Sequence, residues 1–287
     1  MKPIIVVDGN ALGHTVKYSL GELEYEDLQI GVVYGFIFRL LHLAREFDTN
    51  KFVFAWDSRV NFREELYPEY KNKHLPDERT DDEKYVDSCV RHQFNLLRKS
   101  VLPALGFTNI YHQQGMEGDD VIASIIKNNP LEKTIIVSSD KDLYQLLSPM
   151  CSMYLLKRKE LYTHSDFYKE YGVHPMQWAD VKAMAGCSGD KVPGIKGVGN
   201  TKALAYIKGQ LPKGKIFDKI RFGSDTVIFT RKLVELPFEG TEIIKLKETE
   251  TFDIDKIINV LENYDMFTLT SGKNYKTWRE NFCGFKN

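Results

Sequence analysis

Ile4-Ile5-Val6-Val7 runs directly into Asp8-Gly9-Asn10. Consecutive β-branched residues suit a strand buried on both faces, and the Gly-Asn that follows suits a turn. The stretch is therefore expected to be an interior strand that delivers Asp8 at its carboxyl end. The same pattern occurs twice more. Residues 51–56, Lys-Phe-Val-Phe-Ala-Trp, lead into Asp57, and residues 134–139, Thr-Ile-Ile-Val-Ser-Ser, lead into Asp140. Weaker signals near 152–156 and 160–163 suggest another strand pair.

Helical patterns lie between these strands. Apolar residues recur at helical spacing over 30–47. Thr80-Asp81-Asp82-Glu83 matches a capping box that opens a helix toward Leu102. Residues 117–127 form a further helix with acids in its first turn, where the dipole favours them. The alternation predicts an α/β fold with a mostly parallel central sheet flanked by helices. After about residue 175 the strand signals fade. Residues 177–186 and 201–208 read as helices on either side of a glycine-rich turn, and 252–264 as the best later helix. The expected division is an α/β domain over 1–175 and a mostly helical region over 176–287.

Composition sets the outer bounds. The 287 residues are 43% hydrophobic and 28% charged, which excludes a mainly disordered, collagenous or coiled-coil chain. Cys89, Cys151, Cys187 and Cys283 are scattered, with no CxxC pair. That pattern excludes a disulfide scaffold and the common zinc modules, and it fits a reducing compartment. The N-terminus enters a strand too early for a secretory leader. The longest apolar stretch, 31–44, is interrupted by Arg39 and His42, so no membrane span is expected. The net charge of −1 decides nothing alone, because clustered carboxylates can mask a basic surface elsewhere.

The chemistry follows from the acids. In open parallel sheets, ligands sit outside the carboxyl ends of the strands. Asp8, Asp57 and Asp140 should therefore converge on one edge. Glu117-Gly118-Asp119-Asp120 adds three more carboxylates, and Asp190 follows the helix over 177–186. Asp142 is expected on the same side as Asp140, two residues on along an extended segment. Packed together without counter-charge, such groups repel strongly. Hard divalent cations relieve this, and Mg²⁺ takes carboxylates and water as ligands. Two ions ~3.5–4 Å apart would suit phosphodiester hydrolysis.

Two further segments suggest phosphate contact. Within residues 63–73, Arg63 and Lys71 are candidates to touch phosphate, with Tyr70 available for base stacking and Lys73 as a further DNA contact. Residues 193–202, Pro-Gly-Ile-Lys-Gly-Val-Gly-Asn-Thr-Lys, nearly match a P-loop. Asn200 stands where the lysine belongs, and a helix precedes the segment where a strand should, so a nucleotide-binding P-loop is rejected. A glycine turn between helices can instead present backbone N–H groups to a DNA phosphate. Gly194, Lys196, Gly197, Gly199 and Lys202 are its candidate contacts. A haloacid dehalogenase-type phosphatase is also rejected, since Asn10 occupies the position two residues after Asp8 that needs an acid.

These pieces, in this order, resemble the 5′ nuclease superfamily: flap endonucleases, phage 5′–3′ exonucleases and the 5′-nuclease domain of DNA polymerase I. The matching segments are 6–10, Trp56-Asp57, Phe62-Arg63 with 68–71, 115–120, 138–142 and 185–202, together covering residues 4 to about 205. The resemblance implies a PIN-like sheet, a helical arch over about 70–100 that threads a free 5′ strand, and a helix–three-turn–helix over about 177–208. It implies one metal near Asp8, Asp57, Glu117 and Asp119, and a second near Asp119, Asp140, Asp142 and Asp190, with Asp120 close to both. Mg²⁺ is the implied ion, Mn²⁺ a substitute, and K⁺ an expected occupant of the glycine turn. Lys71 and Arg63 are implied to hold the scissile phosphate, and Lys202 to contact a DNA phosphate.

Where the resemblance expects an aspartate, Cys187 stands, and a thiol is a poor Mg²⁺ ligand. Thr15 and His74 also replace, or stand near, residues that are usually basic. The implied activity is metal-dependent cutting at 5′ ends or branched junctions of duplex DNA, by a cytoplasmic monomer. RNA primers in RNA–DNA hybrids are the alternative substrate. A structure-specific DNA-binding protein with weak or lost cleavage is the alternative class.

Overall fold

The computed structural model describes residues 2–17, 24–25, 28–71, 80–247 and 251–284. Lys73 and His74 lie outside the described residues, as does the first part of the expected arch.

The three apolar runs form strands β1 (Ile4–Asp8), β2 (Phe52–Trp56) and, after the short β3 (Ile110–His112), β4 (Thr134–Ser138). The weaker pair forms β5 (Cys151–Leu155) and β6 (Glu160–Tyr162). Together they make one six-stranded sheet in the order β3-β2-β1-β4-β5-β6. Every pairing is parallel except β5 with β6. Val7 lies level with Phe54 on one side and Val137 on the other. The chain therefore fills one side of β1 first and then crosses to the other. That leaves a topological switch between β1 and β4, where open α/β sheets keep their ligand crevice.

Strand alternation divides the core into two layers. Ile5, Val7, Phe52, Phe54 and Trp56 face helices α1 (Gly9–Lys17) and α2 (Gly31–Glu46). Val6, Val53, Ala55 and Ile136 face the opposite layer, where Val121, Ile122 and Ile125 pack. After α3 (Phe62–Leu66), the capping box forms as expected at the start of α4 (Asp81–Leu96), with the Thr80 N–H donating to Glu83 Oε2 at 2.8 Å. The chain stays helical through a widened turn, Leu97–Val101, and on to Ala104. The first half of α4 is largely exposed. Its second half is anchored by Gln93, which is buried and accepts the Val32 N–H at the start of α2. Helix α5 (Gly118–Asn128) then leads into β4.

Past β6 the chain is helical: α6 (His164–Tyr171), α7 (Trp178–Ala185), α8 (Asn200–Ile207), α9 (Lys215–Phe222), α10 (Ser224–Val234), α11 (Ile254–Glu262) and α12 (Gly272–Thr277). The expected boundary near residue 175 does not divide the core. Ile257, Leu261, Trp278 and Phe282 pack in one apolar cluster with Phe36, Phe52 and Phe107, while Trp178 and Val181 of α7 pack in the other. The periodicity of 252–264 revealed a helix but not which layer it joins. Among the described residues, no helix is long and apolar enough to cross a membrane.

Candidate metal centre

The carboxyl ends of β1, β2 and β4 bring Asp8, Asp57 and Asp140 to one edge, as the strand reading predicted. Asp8 is buried; its Oδ1 accepts the Ala11 N–H at 2.9 Å and its Oδ2 the Ser138 hydroxyl at 2.8 Å. Asp57 accepts the Gly118 N–H at 2.7 Å. A Cβ at Gly118 would stand a tight 3.0 Å from that same oxygen, so a side chain there would press on the Asp57 carboxylate. This hydrogen bond ties the end of β2 to the start of α5, which carries Asp119. Asp140 caps the short 3₁₀ turn Lys141–Leu146 by accepting the Asp142 N–H at 2.8 Å. The expected extended geometry at 140–142 is thus replaced by a cap, and Asp142 turns toward Lys182, 2.7 Å away.

These acids are electrostatically frustrated. Burial first, and then Asp57, push Asp8 up to about 7. Burial together with Asp140, Asp8, Glu117 and Asp57 raises Asp119 well above the ordinary carboxylate range. Burial and Asp142 raise Asp140. Asp57 reaches the surface, yet the surrounding protein still withdraws enough water to raise it, with Glu117 adding to the effect. Lys71 and Lys182 act on these acids without offsetting burial and repulsion, so the basin is short of positive charge. Among the described residues, no group of three His, Cys, Asp or Glu side chains is already gathered into a coordination shell. Mg²⁺ keeps several waters and takes one or two carboxylates directly, so the donor set of Asp8, Asp57 and Asp119 fits a hydrated ion.

The frustration has a measurable consequence. Between pH 3.8 and about 7 the folded Asp8 holds a proton that the unfolded chain has released. Stability without a cation should therefore fall as pH rises through that window. Each pH unit of the window contributes roughly 1.4 kcal/mol, so the whole fall is a few kcal/mol. A bound divalent ion offsets the repulsion once the acids ionise. Mg²⁺ should accordingly raise the melting temperature several-fold more at pH 8 than at pH 5, relative to EDTA. Equal increments at the two pH values would contradict this.

The other expected ligands are engaged by protein donors in this structure. Glu117 is engaged by three donors: Asn61 Nδ2 at 2.8 Å, the Tyr70 hydroxyl at 3.1 Å and Lys71 Nζ at 2.5 Å. Burial opposes charge on Lys71, but Glu117 outweighs it and holds the ammonium firmly protonated. Lys71 has φ +50°, an uncommon conformation for a side chain with a Cβ, and its N–H donates to the Asp190 carbonyl at 2.9 Å. That backbone bond sets Lys71 beside the acids, with its side chain 44% exposed.

Asp120 and Arg63 require a correction. Arg63 was expected at the phosphate and Asp120 near both metals. Instead the two form a buried bidentate pair, with Nη1–Oδ2 at 2.6 Å and Nη2–Oδ1 at 2.7 Å. Arg63 Nε also donates to the Leu233 carbonyl, and the guanidinium lies 4.6 Å from the Phe238 ring centroid. Asp120 accepts the Phe238 and Glu117 N–H groups as well. The pair clamps the start of α5 to the segment after α10, leaving neither group free for a ligand. Tyr70 is likewise buried, so its ring is not available for base stacking.

Asp190 reaches the edge through the turn after α7, where Cys187 Sγ donates to its Oδ2 at 3.2 Å. In that turn, a Cβ at Gly194 would stand 2.4 Å from the Ala185 carbonyl oxygen, and Gly197 has φ +87°. Both glycines are therefore required by backbone approach or conformation. Gly199 precedes α8 as its N-cap, and Lys196 is exposed. Lys202 was expected to reach a phosphate; its Nζ donates instead to the Gly197 carbonyl at 2.7 Å.

Sequence reasoning missed Asn61, Ser138 and Lys182. Lys182 is the one Lys or Arg between Lys169 and Lys191, which was the available signal. Also unforeseen is an open groove of about 680 Å³ beside Asp57, lined by Arg59, Arg91, Arg98 and Lys99. Its basic residues come from the β2 exit and from the α4 helix and its extension, so no single stretch of sequence displays them together.

Comparisons with known proteins agree with this architecture. The sequence profile of the 5′–3′ exonuclease N-terminal resolvase-like domain matches residues 3–172. Thermostable DNA polymerase I of Thermus thermophilus is 30% identical over 255 residues, an alignment covering 82% of this chain and 29% of the polymerase. The chain thus spans under a third of that relative's length. A T5 protein co-crystallised with metal ions superposes with a TM-score of 0.71 at 21% identity, covering 94% of this chain and all of the other. The bacteriophage T5 flap endonuclease in a pseudo-enzyme-product complex with DNA and metal ions gives 0.67 at 18% identity, with 97% of each chain covered. The fold is shared with these structures, and by its profile match the chain belongs to the 5′–3′ exonuclease family.

Proposed function

We propose that this chain is a divalent-metal-dependent 5′ nuclease, acting as flap endonuclease and 5′–3′ exonuclease on 5′ ends and branched junctions of duplex DNA. The observation that carries the reading is the convergence of Asp8, Asp57, Asp119 and Asp140 at the sheet's switch point, with burial and mutual repulsion raising all four. The DNA and metal ions in the T5 complex support it by analogy of fold. Mg²⁺ is the proposed physiological ion, held by Asp8, Asp57 and Asp119, with Mn²⁺ as a substitute. When bound it would supply charge for a developing oxyanion and lower the pKa of a coordinated water.

The chain's own groups account for the rest. Lys71 is the partly exposed cation of the basin, and we assign it the scissile phosphate. Glu117, Asn61 and Tyr70 position it. Hydrolysis would add water oxygen to phosphorus and break the bond to the 3′ oxygen, leaving a 5′-phosphate on the remaining strand. The groove of Arg59, Arg91, Arg98 and Lys99 offers phosphate contacts for the single-stranded 5′ segment. The backbone N–H groups of the 193–199 turn and the start of α8 are assigned to duplex DNA. A K⁺ at that turn would compete with Lys202 for the Gly197 carbonyl. RNA–DNA hybrids remain a substrate to be compared with DNA.

A panel of labelled substrates tests the assignment. A 5′ flap duplex should be cut faster than a 3′ flap, a blunt duplex or a single strand, at the junction and only with Mg²⁺ or Mn²⁺. The second reading, a DNA-binding protein without efficient cleavage, is favoured by Cys187 alone. Tight flap binding without product in either ion would establish it.

Lys71→Met gives a separate check. It removes the charge and keeps much of the stem. Loss of one oriented charge at a reacting phosphate costs ~10²–10³-fold in kcat. Flap affinity measured without metal should change by less than about tenfold, since one phosphate contact among many is lost. A kcat within about threefold of wild type would remove Lys71 from the mechanism.

A further inference from the structure

The seven acids at the switch point separate into two groups with different partners. Among the described residues, Asp8, Asp57 and Asp119 have no basic side chain in hydrogen-bond contact, and Lys71 of the same basin is held by Glu117. Asp142 and Asp190 are engaged from α7 and the turn that follows it, while Asp140 stands between the two groups, capping the turn that carries Asp142 and close enough to repel Asp8 and Asp119. Lys182 Nζ stands 2.7 Å from Asp142 Oδ1, with its side chain only 14% exposed. Cys187 Sγ donates to Asp190 Oδ2 at 3.2 Å.

A second divalent ion in that half would need hard oxygen donors. One carboxylate there is paired with an ammonium. Another is engaged by a thiol, which is itself a soft, poorly matched ligand for Mg²⁺. Lys182 is also not a loose surface lysine. It comes from α7, whose neighbours Trp178 and Val181 are packed in the core, so its stem starts from a fixed point. The donors of this half therefore do not fit a resident divalent ion, whereas those of the first half do.

We propose that the Lys182 ammonium permanently fills the second cation position, so that this chain binds one divalent ion where two carboxylate-lined positions exist. This rests on the metal-dependent reading above. It makes Lys182 a fixed positive charge on the Asp142 side of the basin, and it makes Cys187 the complementary change, a thiol where a second ion would require an acid.

The test is a count of bound Mn²⁺ on the full chain without DNA, by isothermal titration and by electron paramagnetic resonance. Wild type should bind one Mn²⁺ with a spectrum of isolated ions. Lys182→Met combined with Cys187→Asp should bind two. Their mutual broadening should be visible, because paired ions in such sites lie ~3.5–4 Å apart. Lys182→Arg, which keeps the charge, should still bind one. Circular dichroism melting of each variant checks that it is folded, and the wild-type count stands even if the double variant is not.

Two coupled ions in the wild-type protein would overturn the proposal while leaving the metal-dependent reading intact, because Lys182 would then be a placeholder that the second ion displaces. A folded double variant that still binds one would overturn it as well. No Mn²⁺ bound to wild type at millimolar concentration would overturn both readings.

Discussion

Asp8→Asn should reduce flap cleavage by ~10³-fold or more while leaving flap affinity, measured without metal, within about threefold of wild type. The substitution keeps the shape of the side chain and an acceptor for the Ala11 N–H, whose bond to Oδ1 fixes the start of α1. It removes one negative charge from the donor set assigned to the ion. It should not unfold the protein. Asp8 is an acid that burial and Asp57 hold in an unfavourable ionised state at neutral pH, so its neutral replacement should raise metal-free stability at pH 8. The pairing of higher stability with lost activity is the signature of a ligand, since a structural aspartate would lose both. Mn²⁺ titration in parallel should show weakened binding. Cleavage within about tenfold of wild type would sink the assignment of Asp8 to the metal.

Arg63→Ala should have the opposite profile. The wild-type guanidinium makes two bonds to Asp120 and one to the Leu233 carbonyl, all buried. Truncation leaves the Asp120 carboxylate with only the Phe238 and Glu117 N–H groups. Breaking a buried pair in this way costs ~3–5 kcal/mol, because a charge remains without its partner. Urea denaturation should show that loss as a lower midpoint. Flap affinity of the protein that stays folded should change little. Arg63→Lys should recover only part of the stability, since an ammonium cannot reproduce the paired fork. A stability change below ~1 kcal/mol with a ~10²-fold loss of kcat would instead put Arg63 on the phosphate.

These two residues also mark how far the sequence could be read. Asp8, Asp57 and Asp140 were legible because a short apolar strand has one strongly patterned signal and one end. Where the strand stops, its last acid must lie at the sheet edge. Arg63 and Asp120 were misread for the converse reason. Both sit in segments rich in charge, and burial depends on Leu233 and Phe238, which are more than a hundred residues away. Asp142 failed more locally, since Asp140 turned the chain into a 3₁₀ cap where an extended segment was expected. Lys182 stood out only as an isolated basic residue, and its partner Asp142 became visible only once α7 was placed against the 3₁₀ turn. The packing of 252–282 onto the first apolar layer was hidden in the same way. Its helical period was readable, but its partners Phe52 and Phe107 were not.

The most direct measurement uses wild-type protein and a 5′-labelled flap duplex, incubated with Mg²⁺ or with EDTA, with products sized to the nucleotide. A metal-dependent 5′ nuclease should release a labelled fragment ending within about one nucleotide of the junction in Mg²⁺, and none in EDTA. Undiminished cutting in EDTA, or flap binding with no product in Mg²⁺ or Mn²⁺, would contradict the account.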